Sequence, residues 1–167
     1  MRKITALIHT HNDAQRIGRL LETLRPCDEV LVIDHGSTDN TRKVVGQYGA
    51  NFKSGVPGVN RGVYAIDARH DWIFCLLPNE ALSETLEAAL FEWKQREELP
   101  DDDEQLVAKL QTSFSMHVRE ETESGWKEVA PQVRLVNRKL VNWEGDLPPD
   151  APETEVLAGD VLRFRHP

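Results

Sequence analysis

The chain has 167 residues and a mass of 19.0 kDa, with 40% hydrophobic and 29% charged side chains, which excludes a disordered chain and predicts one domain with a full core. Its charge is lopsided: residues 1–96 carry 12 basic and 12 acidic side chains, whereas residues 97–167 carry 8 and 16 and account for the whole net charge of −8. That balance repels polyphosphate and argues against nucleic acid as a partner, although one nucleotide phosphate can still be held locally at a helix N-terminus.

Lys3 to Ile8 reads as a buried strand. Asn12 is placed to cap a helix to about Arg25, with Ile17, Leu20, Leu21 and Leu24 on one face. Glu29 to Ile33 is a second apolar strand, and Asp34 to Thr38 a turn. A helix then runs to Tyr48, with Gly49 to end it. Ala50 to Lys53 is a weak third strand and Ser54 to Gly62 a loop. A helical stretch precedes Asp71, and Trp72 to Leu77 is the most apolar strand. Ser83 opens an amphipathic helix to about Glu98, and Glu97 to Glu104 is a charged, solvated connection. Shorter strands follow at Thr112–Arg119, Gln132–Val136, Leu140–Trp143 and Val161–Arg165, with a proline-rich loop from Leu147 to Pro152.

This alternation predicts an α/β architecture: a mostly parallel twisted sheet with helices on both faces and a smaller antiparallel portion in the C-terminal half. No apolar run reaches the roughly 18 to 20 residues of a transmembrane segment, and the N-terminus passes straight into a strand without a leader. Cys27 and Cys75 lack metal or redox spacing and are expected as thiols of a cytoplasmic protein. Trp72 and Trp93 are expected in the core. Trp126 and Trp143 are open between core packing and a sugar-stacking platform.

Ligands of open parallel sheets lie beyond the carboxyl ends of the strands. Three groups fall there: His9-Thr10-His11-Asn12-Asp13, Asp34-His35-Gly36-Ser37-Thr38-Asp39 and Leu77-Pro78-Asn79-Glu80. The second offers a carboxylate for a ribose or base, followed by backbone N–H groups opening a helix. His9 and His11 stand two residues apart at a strand end, a metal-ligand spacing that His35 could complete.

The stretch I-T-A-L-I-H-T-H-N-D-A-Q-R-I-G-R-L-L-E-T-L resembles the opening of inverting family 2 glycosyltransferases, and E-V-L-V-I-D-H-G-S-T-D-N-T resembles their second strand and turn. H-D-W-I-F-C-L-L-P-N-E is similar to their G-D-W-x-L-x-L-D-A-D-E segment. Ser124-Gly125-Trp126, V-R-L-V-N-R-K and Trp143 follow the later pattern of the bacterial lipopolysaccharide-core branch. The resemblance implies a GT-A fold, with residues 1–98 as a nucleotide-binding half and 105–167 as acceptor-side strands and loops. It also implies transfer of a sugar, with inversion, from a nucleotide-sugar donor to a hydroxyl on a saccharide or lipid-linked acceptor.

By the same resemblance Thr10, Asn12, Asp34, Gly36, Ser37, Asp39 and Arg61 bind the nucleotide, and Glu80 follows the motif that holds Mn or Mg on the diphosphate. The two carboxylates of that motif fall on Leu77 and Asn79, and the later His-Glu pair falls near Pro148 and Pro149. Leucine cannot ligate a hard cation and proline cannot move a proton, which leaves Asp146 and Asp150 as substitutes for the base. Two alternatives follow. One is a catalytically degenerate nucleotide or nucleotide-sugar binding module. The other is a small metal-dependent hydrolase or sensor built on His9, His11 and His35.

Overall fold

The computed structural model describes residues 1–96, 111–151 and 153–167. The charged connection at 97–104 and the end of the helix expected to reach Glu98 lie outside the described residues.

Eight strands form one sheet in the order β3-β2-β1-β4-β7-β6-β8-β5. They are β1 (Ile4–Thr10), β2 (Glu29–Asp34), β3 (Asn51–Ser54), β4 (Trp72–Leu76), β5 (Glu80–Leu82), β6 (Ser113–Thr122), β7 (Gly125–Asn137) and β8 (Glu155–Arg163). β1 to β4 pair in parallel, β1 lying between β2 and β4. β7 joins β4 antiparallel and β6 pairs antiparallel with β7, whereas β8 is parallel to β6 and antiparallel to β5. The α/β class and its mixture of parallel and antiparallel strands are as the sequence predicts.

Period-two alternation assigns the two faces. Ile4, Ala6 and Ile8 point into one cluster with Val32, Phe74 and Leu76, covered by α1 (Ile17–Glu22), α2 (Thr41–Gln47) and α3 (Glu84–Lys94). Leu7, Ile33, Ile73 and Cys75 point into the other, covered by a 3-10 helix (Arg61–Asp67) and by Val141, Trp143 and Leu147. Helical segments thus flank both faces of the sheet as expected, although among the described residues the three α-helices share one face and only the 3-10 helix lies on the other. The α3 periodicity holds, with Leu86, Leu90 and Trp93 buried and the Ser83 hydroxyl accepting from the Leu86 amide.

Other differences have local causes. Asn12 does not cap α1; it adopts φ 55°, which asparagine tolerates, and the helix starts only at Ile17 after a turn closed onto the Asp13 carbonyl. The strand expected at Leu140–Trp143 is absent because the Leu140 and Val141 amides fold back onto the Asn137 carbonyl.

β7 is much longer than Gln132–Val136. Its Pro131, which lacks an N–H, sits where the register slips against Met116 and Val118. A second slip falls at Arg134: Val133 pairs with Ser115 and Leu135 with Phe114. Val133 and Leu135 consequently enter opposite clusters, although two residues apart in a regular strand they would share a face.

Candidate functional site

The carboxyl ends of β1 and β2 lie side by side, with Thr10 in register with Asp34. Their loops are stitched together by side chains. Asp34, buried at the end of β2, accepts from both the amide and the hydroxyl of Ser37. The same hydroxyl accepts from the Asn12 backbone amide at 2.8 Å, and the Asn12 side-chain Oδ1 accepts from the Thr38 amide at 2.7 Å. Gly36 holds φ 78°, a left-handed conformation that lets this turn close. Thr10 donates to Asp13 at 2.7 Å. Asp39 accepts from Thr41 and from the Ala14 amide, and the Thr41 hydroxyl chiefly holds its carboxyl below the ordinary range. Thr10, Asn12, Asp34, Gly36, Ser37 and Asp39 therefore form one preorganised rim. Asn12, Gly36 and Asp39 are its exposed members, with exposed Thr38 beside them.

On the opposite face of the same strand ends lie the histidines. Nδ1 of His9 is 2.9 Å from Nε2 of His35, and the rings stack with centroids 5.1 Å apart. Tyr64 meets both rings edge-on, and its hydroxyl accepts from the Val56 amide. Gly55 is required beside them, since a Cβ there would stand 2.5 Å from His35 Nδ1.

Arg61 pairs with Asp146 at 2.8 Å. This pair is brought in by Gly62, where a Cβ would fall 1.9 Å from the Trp143 carbonyl, and by the Arg61 amide, which donates to the Glu144 carbonyl. Burial pushes the His9 imidazole down to about 4, against the pull of the Asp146 carboxylate and with the charges of His35 and Arg61. His35 is lowered too, first by burial and then by Arg61.

The histidine metal centre does not form. His9 and His35 spend facing nitrogens on each other, and His11 Nδ1 lies 2.7 Å from the His35 carbonyl. Among the described residues no group of three histidine, cysteine or carboxylate side chains converges on a metal position.

Glu80 is also corrected as a metal ligand. It is fully buried, and its oxygens accept from the Leu77 amide, from both Nη atoms of Arg134 and from Arg163. Asn79 is bound to the end of β8 through its carbonyl, which accepts from the Phe164 amide. The residues at the expected cation position therefore do not fit a divalent metal.

Asp150 is engaged elsewhere, accepting from the Val133 amide. Trp143 packs in the second cluster and also lines a cavity beside the 3-10 helix, whereas Trp126 stays 42% exposed, edge-on to Phe164. Trp72 and Trp93 pack against each other in the first cluster, as expected.

Sequence reasoning missed Tyr64, Gly55 and the Arg134–Glu80 pair. Gly55 belongs to a segment read only as a loop, and Tyr64 to the helical stretch before Asp71, where no motif marks it. Arg134 reads as a strand residue and is turned inward by a bulge that no motif marks.

The chain resembles glycosyltransferases, and its sequence relatives carry that resemblance. The chain is 36% identical over 91 residues to an uncharacterized glycosyltransferase from Rickettsia felis, covering 52% of this chain and 32% of that protein. It is 28% identical over 158 residues to the poly(ribitol-phosphate) beta-N-acetylglucosaminyltransferase TarS from Staphylococcus aureus, covering 84% of this chain and 26% of that protein. The chain thus spans a third or less of the length of these relatives. No protein-family model matches it.

Among solved structures, S. aureus TarS (residues 1–349) aligns over 74% of this chain and 37% of its own, at 22% identity and TM-score 0.46. The glucosyl-3-phosphoglycerate synthase of Mycobacterium tuberculosis, solved with Mn2+, UDP-glucose and phosphoglyceric acid, aligns over 47% and 34%, at 21% identity and TM-score 0.42.

Proposed function

We propose that this chain is a nucleotide-sugar-binding unit of the GT-A, family 2 glycosyltransferase type, in which the donor site is retained and the metal site is lost. The observation that supports it is the Asp34–Ser37–Asn12 rim: a buried carboxylate fixed at a strand end, with exposed polar groups of the neighbouring loop held beside it. A rim ordered before a ligand arrives does not spend binding energy on ordering. The two free thiols, Cys27 and a buried Cys75, suit a reducing compartment.

Arg134 and Arg163 occupy the carboxylate that a hard cation would need, so metal-assisted departure of the diphosphate is not part of this reading. Equilibrium binding of UDP, GDP and CDP and of their sugar conjugates tests it. At least one binds the wild-type chain, and Asp34→Ala loses that affinity. Binding of none of them overturns the reading.

Asp146 favours a second reading, in which transfer itself persists. It is the carboxylate beside the histidine pair, reached through Arg61. In that case an acceptor hydroxyl would attack the anomeric carbon, its proton would pass to Asp146, and the nucleoside diphosphate would depart. Release of nucleoside diphosphate that stops in Asp146→Asn supports transfer; its absence under any acceptor leaves the binding unit.

A further inference from the structure

The site as built has a charge problem. Asp34 places a fixed carboxylate at the end of β2, and the cations of this edge are already matched: Arg61 by Asp146 at 2.8 Å and Arg16 by Asp13 at 3.5 Å. The position that would carry a divalent cation holds Leu77, Asn79 and an arginine-saturated Glu80. A diphosphate arriving here meets no uncommitted positive charge from these groups, and burying an uncompensated anion is costly.

Imidazole is the side chain whose charge can be supplied on demand near neutral pH. His9 stands at the end of β1, between the end of β2 that carries Asp34 and the end of β4 that leads to Leu77. It is nearly fully buried and hydrogen-bonded to His35. A neutral pair of this geometry keeps one N–H between the facing nitrogens. The outer nitrogen of His9, Nε2, is buried and makes no hydrogen bond of good geometry, the Arg61 backbone being the polar group that reaches this ring. A buried ring nitrogen so poorly satisfied asks for an explanation, and a pair poised to accept a proton supplies one.

We infer, resting on the nucleotide-site reading above, that the His9–His35 pair is the charge-compensating element of this site and takes up one proton from solvent as a diphosphate settles over the ends of β1 and β2. Burial lowers both imidazoles, which favours the uncharged form of the pair. The charged groups that bear on it are Asp146 and Asp34, which favour the proton, and Arg61, which opposes it; His11 and the Tyr64 ring complete its surroundings. Added anionic charge beside the pair shifts the balance toward imidazolium.

Calorimetric titration with UDP-glucose and GDP-mannose tests this. The phosphates of these probes are diesters and do not titrate near neutrality, so any proton taken up belongs to the protein. At pH 6.5 the binding heat is expected to vary with the ionisation enthalpy of the buffer, with a slope approaching one proton per ligand. Affinity is expected to weaken by up to about tenfold per unit as pH rises through neutrality. His9→Gln and His35→Gln should each abolish the buffer dependence. Binding heats independent of buffer in the wild type overturn the inference while leaving the nucleotide site standing. A dependence that survives both variants and disappears in His11→Gln also overturns it. Failure of both probes, and of every other nucleotide sugar, to bind removes the site and the inference together.

Discussion

Arg134 and Glu80 are both fully buried and meet face to face, Nη1 on Oε1 and Nη2 on Oε2, each at 2.7 Å. Arg134 also donates to the Cys75 carbonyl and to Gln132, and Arg163 adds a second guanidinium to the same carboxylate. The cluster joins β5 and β8 to β7, and reaches β4 through the Cys75 backbone carbonyl. Removing one partner of such a pair leaves a buried charge uncompensated.

Glu80→Ala is accordingly expected to destabilise the protein by about 3 to 5 kcal/mol. In a domain of this size that lowers the unfolding midpoint by roughly 6 to 20 °C. Thermal unfolding followed by circular dichroism measures it. Manganese should leave the midpoint of the variant and of the wild type equally unmoved, since the carboxylate serves arginines and not a cation.

Gly62 sets the approach of the Trp143 backbone, and with it the Arg61–Asp146 pair. Gly62→Ala places a methyl where the Trp143 carbonyl already stands. Because the obstruction is backbone, the segment must move, at a cost of about 1 to 3 kcal/mol. Chemical denaturation should show this as a lower midpoint with little change in slope.

The pH dependence of stability has a definite sign. The His9 pKa falls from 6.5 to about 4 on folding, so between these values the unfolded chain binds more protons and stability rises with pH. The contribution is present above pH 6.5, is lost as pH falls toward 4, and amounts to about 2 to 4 kcal/mol. Denaturation midpoints measured across that window should rise with pH in the wild type and flatten in His9→Gln.

Ser83 caps α3 and also accepts from the Asp160 amide at 2.9 Å, so it fastens the helix to β8. Ser83→Ala should cost about 1 to 2 kcal/mol, at the upper end for a cap because two amides lose their acceptor. Hydrogen exchange at Leu86 and Asp160 checks it: both amides should exchange faster than in the wild type.

The parallel half was legible because each of its signals is local. Apolar runs such as Glu29 to Ile33 and Trp72 to Leu77 can only be buried strands between helices, and Ser83 is a cap by its spacing alone. The rim was legible for the same reason, since Asp34, Gly36 and Ser37 lie within four residues. The antiparallel half was not, because bulges decide it. Pro131 and Arg134 sit where one residue too many faces the partner strand, and only the pairing shows which way each then points. Glu80 misled because its surroundings in sequence suggest a cation, whereas its partners lie 54 and 83 residues away.

The proposed nucleotide site works without a divalent metal. The most direct measurement is the affinity of the wild-type chain and of Asp34→Ala for nucleoside diphosphates and their sugar conjugates, with and without manganese. Binding to the wild type that manganese does not strengthen is expected, and none to the variant. Binding that appears only with manganese, or that survives Asp34→Ala unchanged, would contradict that expectation.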